Sequence, residues 1–145
     1  MTTRIDRSAL LLYPAQAMFD LVNDIESYPS FMDGCVGAEV IARTDTAVEA
    51  RLHLAKAGIR QSFTTRNLIE PGRIRLELVE GPFESFEGLC CFDAMPDDSW
   101  RVSLLQAFRM RNALAGRAAR KLFESMANTL VDALCRRARQ VYDGR

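Results

Sequence analysis

Side chains that could act as a general acid, a general base or a nucleophile near neutral pH are scarce in this sequence of 145 residues. The only histidine, His53, alternates with Glu49 and Arg51 along a strand-like segment, so we expect it to face solvent. The four cysteines form no C-x-x-C pair and do not lie at metal-ligand spacing from the histidine; they are Cys35, Cys90, Cys91 and Cys135. G-x-S-x-G, H-E-x-x-H and glycine-rich phosphate motifs are absent. We therefore predict no catalytic residue, no metal site and no enzymatic activity.

Side chains suited to binding are better represented than those suited to catalysis. Along residues 59–70, one face of a predicted strand carries Gln61, Thr65 and Asn67 among apolar neighbours. Buried polar groups cost free energy unless they form hydrogen bonds, and small-molecule sites are typically apolar pockets with a few polar groups. Two interpretations remain open. These side chains orient a ligand in an enclosed cavity, or Gln61 and Asn67 reach water near the strand ends.

A second strand carries a pattern that is compatible with a cavity. Phe86, Gly88, Cys90 and Phe92 share one face of this strand, and the glycine leaves space between the two aromatic rings. Glycine inside a strand marks a bulge, a bend or the close approach of another group. Earlier in the chain, a predicted loop at residues 26–34 contains three large side chains, which are Tyr28, Phe31 and Met32. They either pack beneath the loop or border a pocket.

Composition indicates that these residues belong to one folded domain, residues 1–145. Hydrophobic residues make up 48% of the chain and charged residues 26%, as is typical of globular proteins. No apolar run approaches the roughly 18–20 residues that span a bilayer, and the run at residues 9–12 is too short for a signal peptide. We therefore expect a cytoplasmic protein.

Apolar periodicity predicts the elements that must position these side chains. A first strand at Ser8–Tyr13 is followed by an amphipathic helix, Pro14–Ile25, with apolar residues at helical spacing. The period then changes to two, with glycine and proline at hairpin intervals, which predicts an antiparallel meander. Its six strands are Cys35–Arg43, Thr46–Ala55, Ile59–Glu70, Arg73–Glu80, Phe83–Asp93 and Ser99–Met110. A long helix, Ala113–Tyr142, has one apolar stripe that requires cover by the sheet.

The net charge of zero conceals an uneven distribution along the chain. Residues 1–100 carry nine basic and sixteen acidic side chains, whereas residues 101–145 carry ten basic and three acidic ones. Such asymmetry indicates an anionic partner for the basic part, and the alternative is that these residues only solvate a helix face. The candidate surface for an anionic partner consists of Arg117, Arg120, Lys121, Arg136, Arg137 and Arg139.

Two blocks of the sequence resemble one known family. They are residues 13–31 followed by Cys35, and residues 55–67, after which residues 78–83 follow. They are similar to the RatA-type ribosome-association toxin and coenzyme Q-binding START-domain family over nearly the whole chain. The resemblance implies the helix-grip fold of the START/Bet v 1-like superfamily, an α+β fold in which a curved antiparallel seven-stranded sheet wraps around a long C-terminal helix. The polyketide cyclase label used in this superfamily follows the fold and does not by itself imply a reaction.

The resemblance implies two different functions. Some members of the family are associated with ubiquinone binding in support of respiratory electron transport. Others are toxins of toxin–antitoxin systems that bind the large ribosomal subunit and block subunit association and translation initiation.

We favour the first function, with ubiquinone or a related polyisoprenoid lipid as the ligand, no required cofactor and peripheral contact with the anionic inner face of the membrane. The alternative is ribosome binding through rRNA. The candidate ligand-binding residues are Phe31, Gln61, Phe63, Thr65, Asn67, Phe86, Phe92, Leu122, Met126 and Leu130.

Overall fold

Residues that alternate between apolar and polar fold into one antiparallel sheet in the computed structural model, which describes residues 2–111 and 116–143. The strands are β1 (Thr3–Leu11), β2 (Cys35–Arg43), β3 (Ala47–Lys56), β4 (Ile59–Glu70), β5 (Arg73–Glu80), β6 (Phe83–Ala94) and β7 (Trp100–Met110). The helices are α1 (Ala15–Asn23), α2 (Tyr28–Phe31) and α3 (Gly116–Ala138). A 3-10 turn, Ile25–Ser27, precedes α2, and a π-helical turn, Arg139–Asp143, follows α3.

The seven strands lie in the order β1-β7-β6-β5-β4-β3-β2, and every neighbouring pair is antiparallel. The first strand therefore pairs with the last one, while the other strands follow each other as hairpins. One face of the sheet is covered by α3, with α1 and α2 closing one side of the layer. The predicted α+β helix-grip fold is confirmed.

The structure differs from the predicted elements mainly at the two ends of the chain. β1 begins at Thr3 rather than Ser8, and the pairing of Thr3 with Phe108 shows why. An edge strand exposes most of its side chains, so only Ile5 and Leu11 of β1 are buried and the apolar alternation is weak. The predicted start of the long helix at Ala113 lies outside the described residues.

A two-residue turn sets the register of the strands that carry the polar candidates. Ala57 and Gly58 connect β3 to β4 with φ values of 53° and 81°. Two successive positive φ values are typical of a type I′ turn, whose twist matches that of a hairpin. This turn places Thr65 opposite Ala50 and Asn67 opposite Val48, on the face of the sheet that α3 covers.

Four phenylalanine rings anchor α3 to the sheet. Phe123 of α3 lies 4.7 Å from Phe83, 5.2 Å from Phe63 and 6.4 Å from Phe108, measured between ring centroids. All four rings are buried, and their tilted or edge-to-face geometry is favourable for aromatic pairs. The cluster fixes the position of the helix relative to β4, β6 and β7.

Gly88 accommodates its neighbour Leu76, which lies opposite it on β5. A Cβ atom at Gly88 would lie 2.9 Å from Leu76 Cδ1 and 3.2 Å from Leu76 Cβ. Of the three alternatives predicted for this glycine, the structure shows the close approach of another group. The space beside Gly88 is therefore filled by leucine.

The substitution Gly88→Ala is expected to destabilise the protein, because Leu76 must move to admit the new methyl group. We expect a loss of about 1–3 kcal/mol in the free energy of unfolding, the usual range for overpacking a core. Urea denaturation of the variant measures this loss. Adding Leu76→Ala should offset part of it, whereas two independent, additive losses would contradict the assigned contact.

Candidate ligand cavity and basic helix face

A cavity of about 70 Å³ lies between the sheet and α3. Its walls come from β3 to β7, from α3 and from the segment 22–32. The side chains of α3 that line it are Met126, Leu130, Val131 and Leu134, and those of the segment 22–32 are Val22, Ile25, Tyr28 and Met32. The volume is well below the roughly 300–1,000 Å³ of typical small-molecule pockets. In this conformation the cavity holds a small group rather than a whole lipid.

Besides Tyr28, the cavity wall contains three side chains with a neutral amide or hydroxyl group, which are Thr65, Asn67 and Gln106. Thr65 Oγ1 donates a hydrogen bond of 2.9 Å to Asn67 Oδ1. Among the described residues, neither Asn67 Nδ2 nor the Gln106 carboxamide has a hydrogen-bond partner within the protein. Asn67 and Gln106 lie in one cross-strand row, three strand spacings apart, which corresponds to about 14 Å along the sheet. A ligand could therefore meet hydrogen-bonding groups at two separate places.

The remaining polar groups of the cavity are held in their protonated forms. The Tyr28 hydroxyl donates to the carbonyl oxygen of Val22, and burial raises the pKa of Tyr28 far above its usual value. Burial also raises the pKa of the Cys90 thiol to about 12, and the neighbouring Cys91 adds to the effect. Among the described residues, no carboxylate, imidazole or amine lines the cavity. The cavity is thus equipped for hydrogen bonding and apolar contact rather than for proton transfer.

Six of the ten predicted ligand-binding residues line this cavity. They are Phe63, Thr65, Asn67, Phe86, Met126 and Leu130. Their role in ligand binding stays a prediction, because the geometry establishes only their position.

The other four predicted ligand-binding residues do not line this cavity. Gln61 lies near the β3–β4 turn, opposite Leu54, where it is half-buried. Phe92 packs against Phe19 of α1, with 5.9 Å between ring centroids. Leu122 is buried in the core cluster around Phe123, and Phe31 lies on α2 beneath Arg137. Phe92, Leu122 and Phe31 are thus covered by α1, by the core and by α3 respectively.

Gln106 is the polar cavity residue that the sequence analysis missed. It shares the inward face of β7 with Val102 and Leu104, so the same alternation that identified Asn67 also marks this position. Tyr28 and Met32, for which a pocket border was one of two interpretations, line the cavity.

His53 lies on the opposite face of the sheet, away from the cavity. Its Nε2 is 2.7 Å from Glu39 Oε1, and its Nδ1 is 2.7 Å from Ser62 Oγ. The hydrogen bond with His53 lowers the pKa of Glu39. These contacts join β2, β3 and β4 on the outer surface, so they give His53 a structural role.

Most arginines of the sheet are paired with carboxylates, although Arg4, Arg43 and Arg60 have no ion pair among the described residues. Arg66 lies 3.3 Å from Glu49, and the Nε of Arg73 lies 2.6 Å from Glu70. The other ion pairs on this sheet join Arg51 to Glu80, Arg75 to Glu70, Arg101 to Asp93 and Arg109 to Glu84. Strand charges are therefore largely neutralised by their cross-strand neighbours.

The cations of α3 and of the turn that follows it differ from those of the sheet. Four of the predicted surface residues are exposed, and no ion pair is recorded for them within residues 2–111 and 116–143; they are Arg117, Lys121, Arg136 and Arg139. Arg120 and Arg137 are half-buried, and the Nε atom of each is buried. Arg136 lies in the last turn of α3, where a cation is stabilised by the helix dipole. Part of the excess of basic residues at this end of the helix therefore has a structural explanation.

A helix that spans a membrane must be both long and predominantly apolar. None of the helices in the described part of the chain combines the length and the apolar character that crossing a bilayer requires.

Comparison with known proteins places this architecture in a family. Residues 11–135 match the family described as polyketide cyclase/dehydrase and lipid transport. The chain is 41% identical over 143 residues to a ribosome association toxin RatA of Pseudomonas aeruginosa, an alignment that covers 98% of this chain and 99% of the relative. It is 36% identical over 143 residues to the ribosome association toxin RatA of Escherichia coli K12, covering 98% and 90% of the two chains.

Solved structures with low sequence identity share the fold. An aromatase/cyclase, ZhuI from Streptomyces sp. R1128, matches with a TM-score of 0.79 and 19% identity, covering 97% of this chain and 96% of that chain. A START superfamily protein from Mycobacterium smegmatis matches with a TM-score of 0.76 and 21% identity, covering 95% and 98%. These structures show the shared fold, while the family match over residues 11–135 shows that the chain belongs to the polyketide cyclase/dehydrase and lipid transport family and the sequence relatives show that it is similar to proteins named ribosome association toxins.

Proposed function

We propose that the protein binds the large ribosomal subunit through the exposed cations of α3 and thereby interferes with the joining of the two subunits. The observation that carries this proposal is the concentration of exposed cations without an ion pair on α3 and the turn that follows it. Six arginines of the sheet are paired with carboxylates, whereas Arg117, Lys121, Arg136 and Arg139 form no ion pair within the described residues and are left for an external anion. Relatives at 36–41% identity that carry the name ribosome association toxin support the choice of rRNA as that anion.

The geometry of α3 suits a phosphate backbone. Arg117 and Arg136 are 19 positions apart, which corresponds to about 28 Å along a helix, and they lie within about 100° of each other around its axis. Glu124 and Asp132 lie between them, so the cations form two groups, one towards each end of α3. Two separated groups can contact phosphates of two neighbouring RNA segments.

Binding of the purified protein to large ribosomal subunits should weaken steeply with salt. For about four phosphate contacts we expect the affinity to fall roughly 50-fold to 150-fold between 50 and 200 mM salt. Co-sedimentation at several salt concentrations measures this dependence. An affinity that is independent of salt would contradict an electrostatic interface on α3.

As a second function, we propose that the cavity binds a hydrophobic small molecule. Support comes from unpaired hydrogen-bonding groups on Asn67 and Gln106 within otherwise apolar walls. The resemblance to coenzyme Q-binding proteins favours ubiquinone or a related polyisoprenoid as the ligand. Because the cavity measures about 70 Å³, a quinone ring with an isoprenoid tail requires the walls to separate.

Filling the cavity should prevent this binding without unfolding the protein. Ala50 is buried and lines the cavity, so Ala50→Leu places three additional carbon atoms in the empty volume. We expect organic extracts of the purified wild-type protein to contain a ligand detectable by mass spectrometry, and extracts of the variant to contain at least about tenfold less.

The matched control is Ala55→Leu on the outer face of the same strand, which should retain the ligand. Absence of any apolar molecule from the wild-type extract, combined with no uptake of ubiquinone from liposomes, would refute the second function.

A further inference from the structure

The cavity wall and the basic helix are connected through one side-chain contact. Arg137 of α3 lies over the ring of Phe31, with its guanidinium carbon 5.5 Å from the ring centroid, within the range of a cation–π interaction. Phe31 packs edge-to-face against Tyr28, with 5.7 Å between centroids, and Tyr28 lines the cavity. A continuous series of contacts therefore leads from the charged surface of α3 to the interior.

Few other polar contacts hold this part of the wall in place. In the described part of the chain, no hydrogen bond or ion pair joins residues 24–33 to α3. Lys56 and Asp33 form an ion pair of 3.3 Å that is exposed to solvent. The Tyr28 hydroxyl donates its hydrogen bond to Val22, which belongs to the same wall. α2 is a single turn of four residues, so it can shift without breaking a long helix.

The hydrogen-bonding capacity of the Arg137 guanidinium is only partly used in this structure. Its Nε atom is buried and has no hydrogen-bond partner among the described residues, and no ion pair is recorded for its guanidinium there. A buried N–H group without a partner costs free energy, and guanidinium groups bind phosphate oxygens through paired, charge-assisted hydrogen bonds. A phosphate therefore offers Arg137 stronger interactions than the Phe31 ring does.

We propose that Arg137 is a latch that couples anion binding on α3 to opening of the cavity. When a phosphate binds the guanidinium, Phe31 loses its cation–π contact with α3 and keeps only apolar packing against that helix. The wall that carries Tyr28 and Met32 then moves outward to admit an apolar ligand. Because coupling between two sites is reciprocal, an apolar ligand in the cavity also strengthens phosphate binding. This inference rests on both proposed functions and assigns their mutual regulation to one residue.

Fluorescence of the neutral apolar probe N-phenyl-1-naphthylamine, titrated into the full-length protein, reports on the cavity. Anisotropy of a fluorescein-labelled 30-nucleotide oligouridylate reports on phosphate binding in parallel samples. We expect the RNA to raise the affinity of the wild-type protein for the probe by about fivefold or more. Arg137→Gln should bind the probe with the higher affinity already without RNA, and RNA should change it no further.

Two further variants keep the test independent of folding defects. Phe31→Leu removes the ring but keeps an apolar side chain, and it should behave as Arg137→Gln does. Arg66→Gln removes one positive charge from the outer sheet face, and its probe binding should respond to RNA as the wild type does. Thermal melts followed by circular dichroism verify that each variant is folded.

The outcomes distinguish the latch from the functions on which it rests. If the RNA binds but probe affinity is the same in all proteins with and without it, the latch is refuted and the basic interface stands. If the RNA does not bind the wild type, the interface is refuted, and equal probe affinities of the wild type and Arg137→Gln then refute the latch as well.

Discussion

Reversing three charges on α3 is expected to lower the affinity for the large ribosomal subunit roughly 100-fold or more. The variant combines Arg117→Glu, Lys121→Glu and Arg136→Glu, all exposed positions. Each cation near an anionic surface contributes about 1 kcal/mol, so losing three of them corresponds to about 3 kcal/mol before any repulsion from the new carboxylates is counted. Co-sedimentation with purified large subunits at 50 mM salt measures the change.

The matched control reverses three charges on the outer sheet face. Arg66→Glu, Arg101→Glu and Arg109→Glu produce the same change in net charge but alter residues already paired with carboxylates. This control should keep its affinity within about threefold of the wild-type value, because the three residues lie on the sheet and not on α3. The control should also stay folded, because surface ion pairs contribute little to stability. Equal losses in both triple variants would mean that net charge, not the face of α3, determines binding.

The substitution Phe83→Ala is expected to produce the largest loss of stability. Phe83 is 2% exposed and contacts the rings of Phe63, Phe86, Phe108 and Phe123. Removing a buried phenylalanine typically costs about 3–5 kcal/mol in the free energy of unfolding. Since Phe123 belongs to α3, the variant also weakens the attachment of this helix to the sheet. Urea denaturation followed by circular dichroism measures the loss.

Phe83→Leu provides the comparison for this prediction. Leucine keeps much of the apolar volume but loses the aromatic pairs, so we expect a cost clearly below that of alanine. A loss below about 1 kcal/mol for Phe83→Ala would show that the aromatic cluster does not anchor α3.

Where turns are marked by glycine or proline, the strands could be predicted from the sequence. β2, β4 and β5 begin and end at the predicted residues, since Gly34, Gly58 and Pro71-Gly72 interrupt the alternation there. β1 was predicted five residues too short at its start. Its partner β7 lies about 100 residues away, and the pairing that stabilises it leaves no strong apolar alternation in the strand itself.

The sequence predicts on which side of the sheet each candidate residue lies, but it does not predict whether that residue borders the cavity. Alternation correctly brought Phe63, Thr65 and Asn67 to the cavity. It placed Phe92 on the same side of the sheet, yet α1 covers that end of β6 and Phe19 fills the space beside the ring. Which part of an inner face stays empty depends on how the helices pack across it, and this is a tertiary property.

The distinction between paired and unpaired charges also required the structure. The sequence predicts an excess of basic residues after residue 100, and it identifies the six cations of α3 and the following turn. Only the cross-strand register shows that Arg101 and Arg109, in the same basic segment, face carboxylates on β6. Likewise, the contact between Phe31 and Arg137 joins residues that the sequence analysis assigned to two different sites.

The joining of purified ribosomal subunits in the presence of the protein tests the central proposal most directly. Small and large subunits are mixed under conditions that favour joining, and the joined and free fractions are separated on sucrose gradients. We expect the wild-type protein to shift material from joined ribosomes to free subunits, and the α3 triple variant to leave the profile unchanged. A profile unaffected by the wild-type protein, or shifted equally by the variant, would contradict ribosome binding through the basic face of α3.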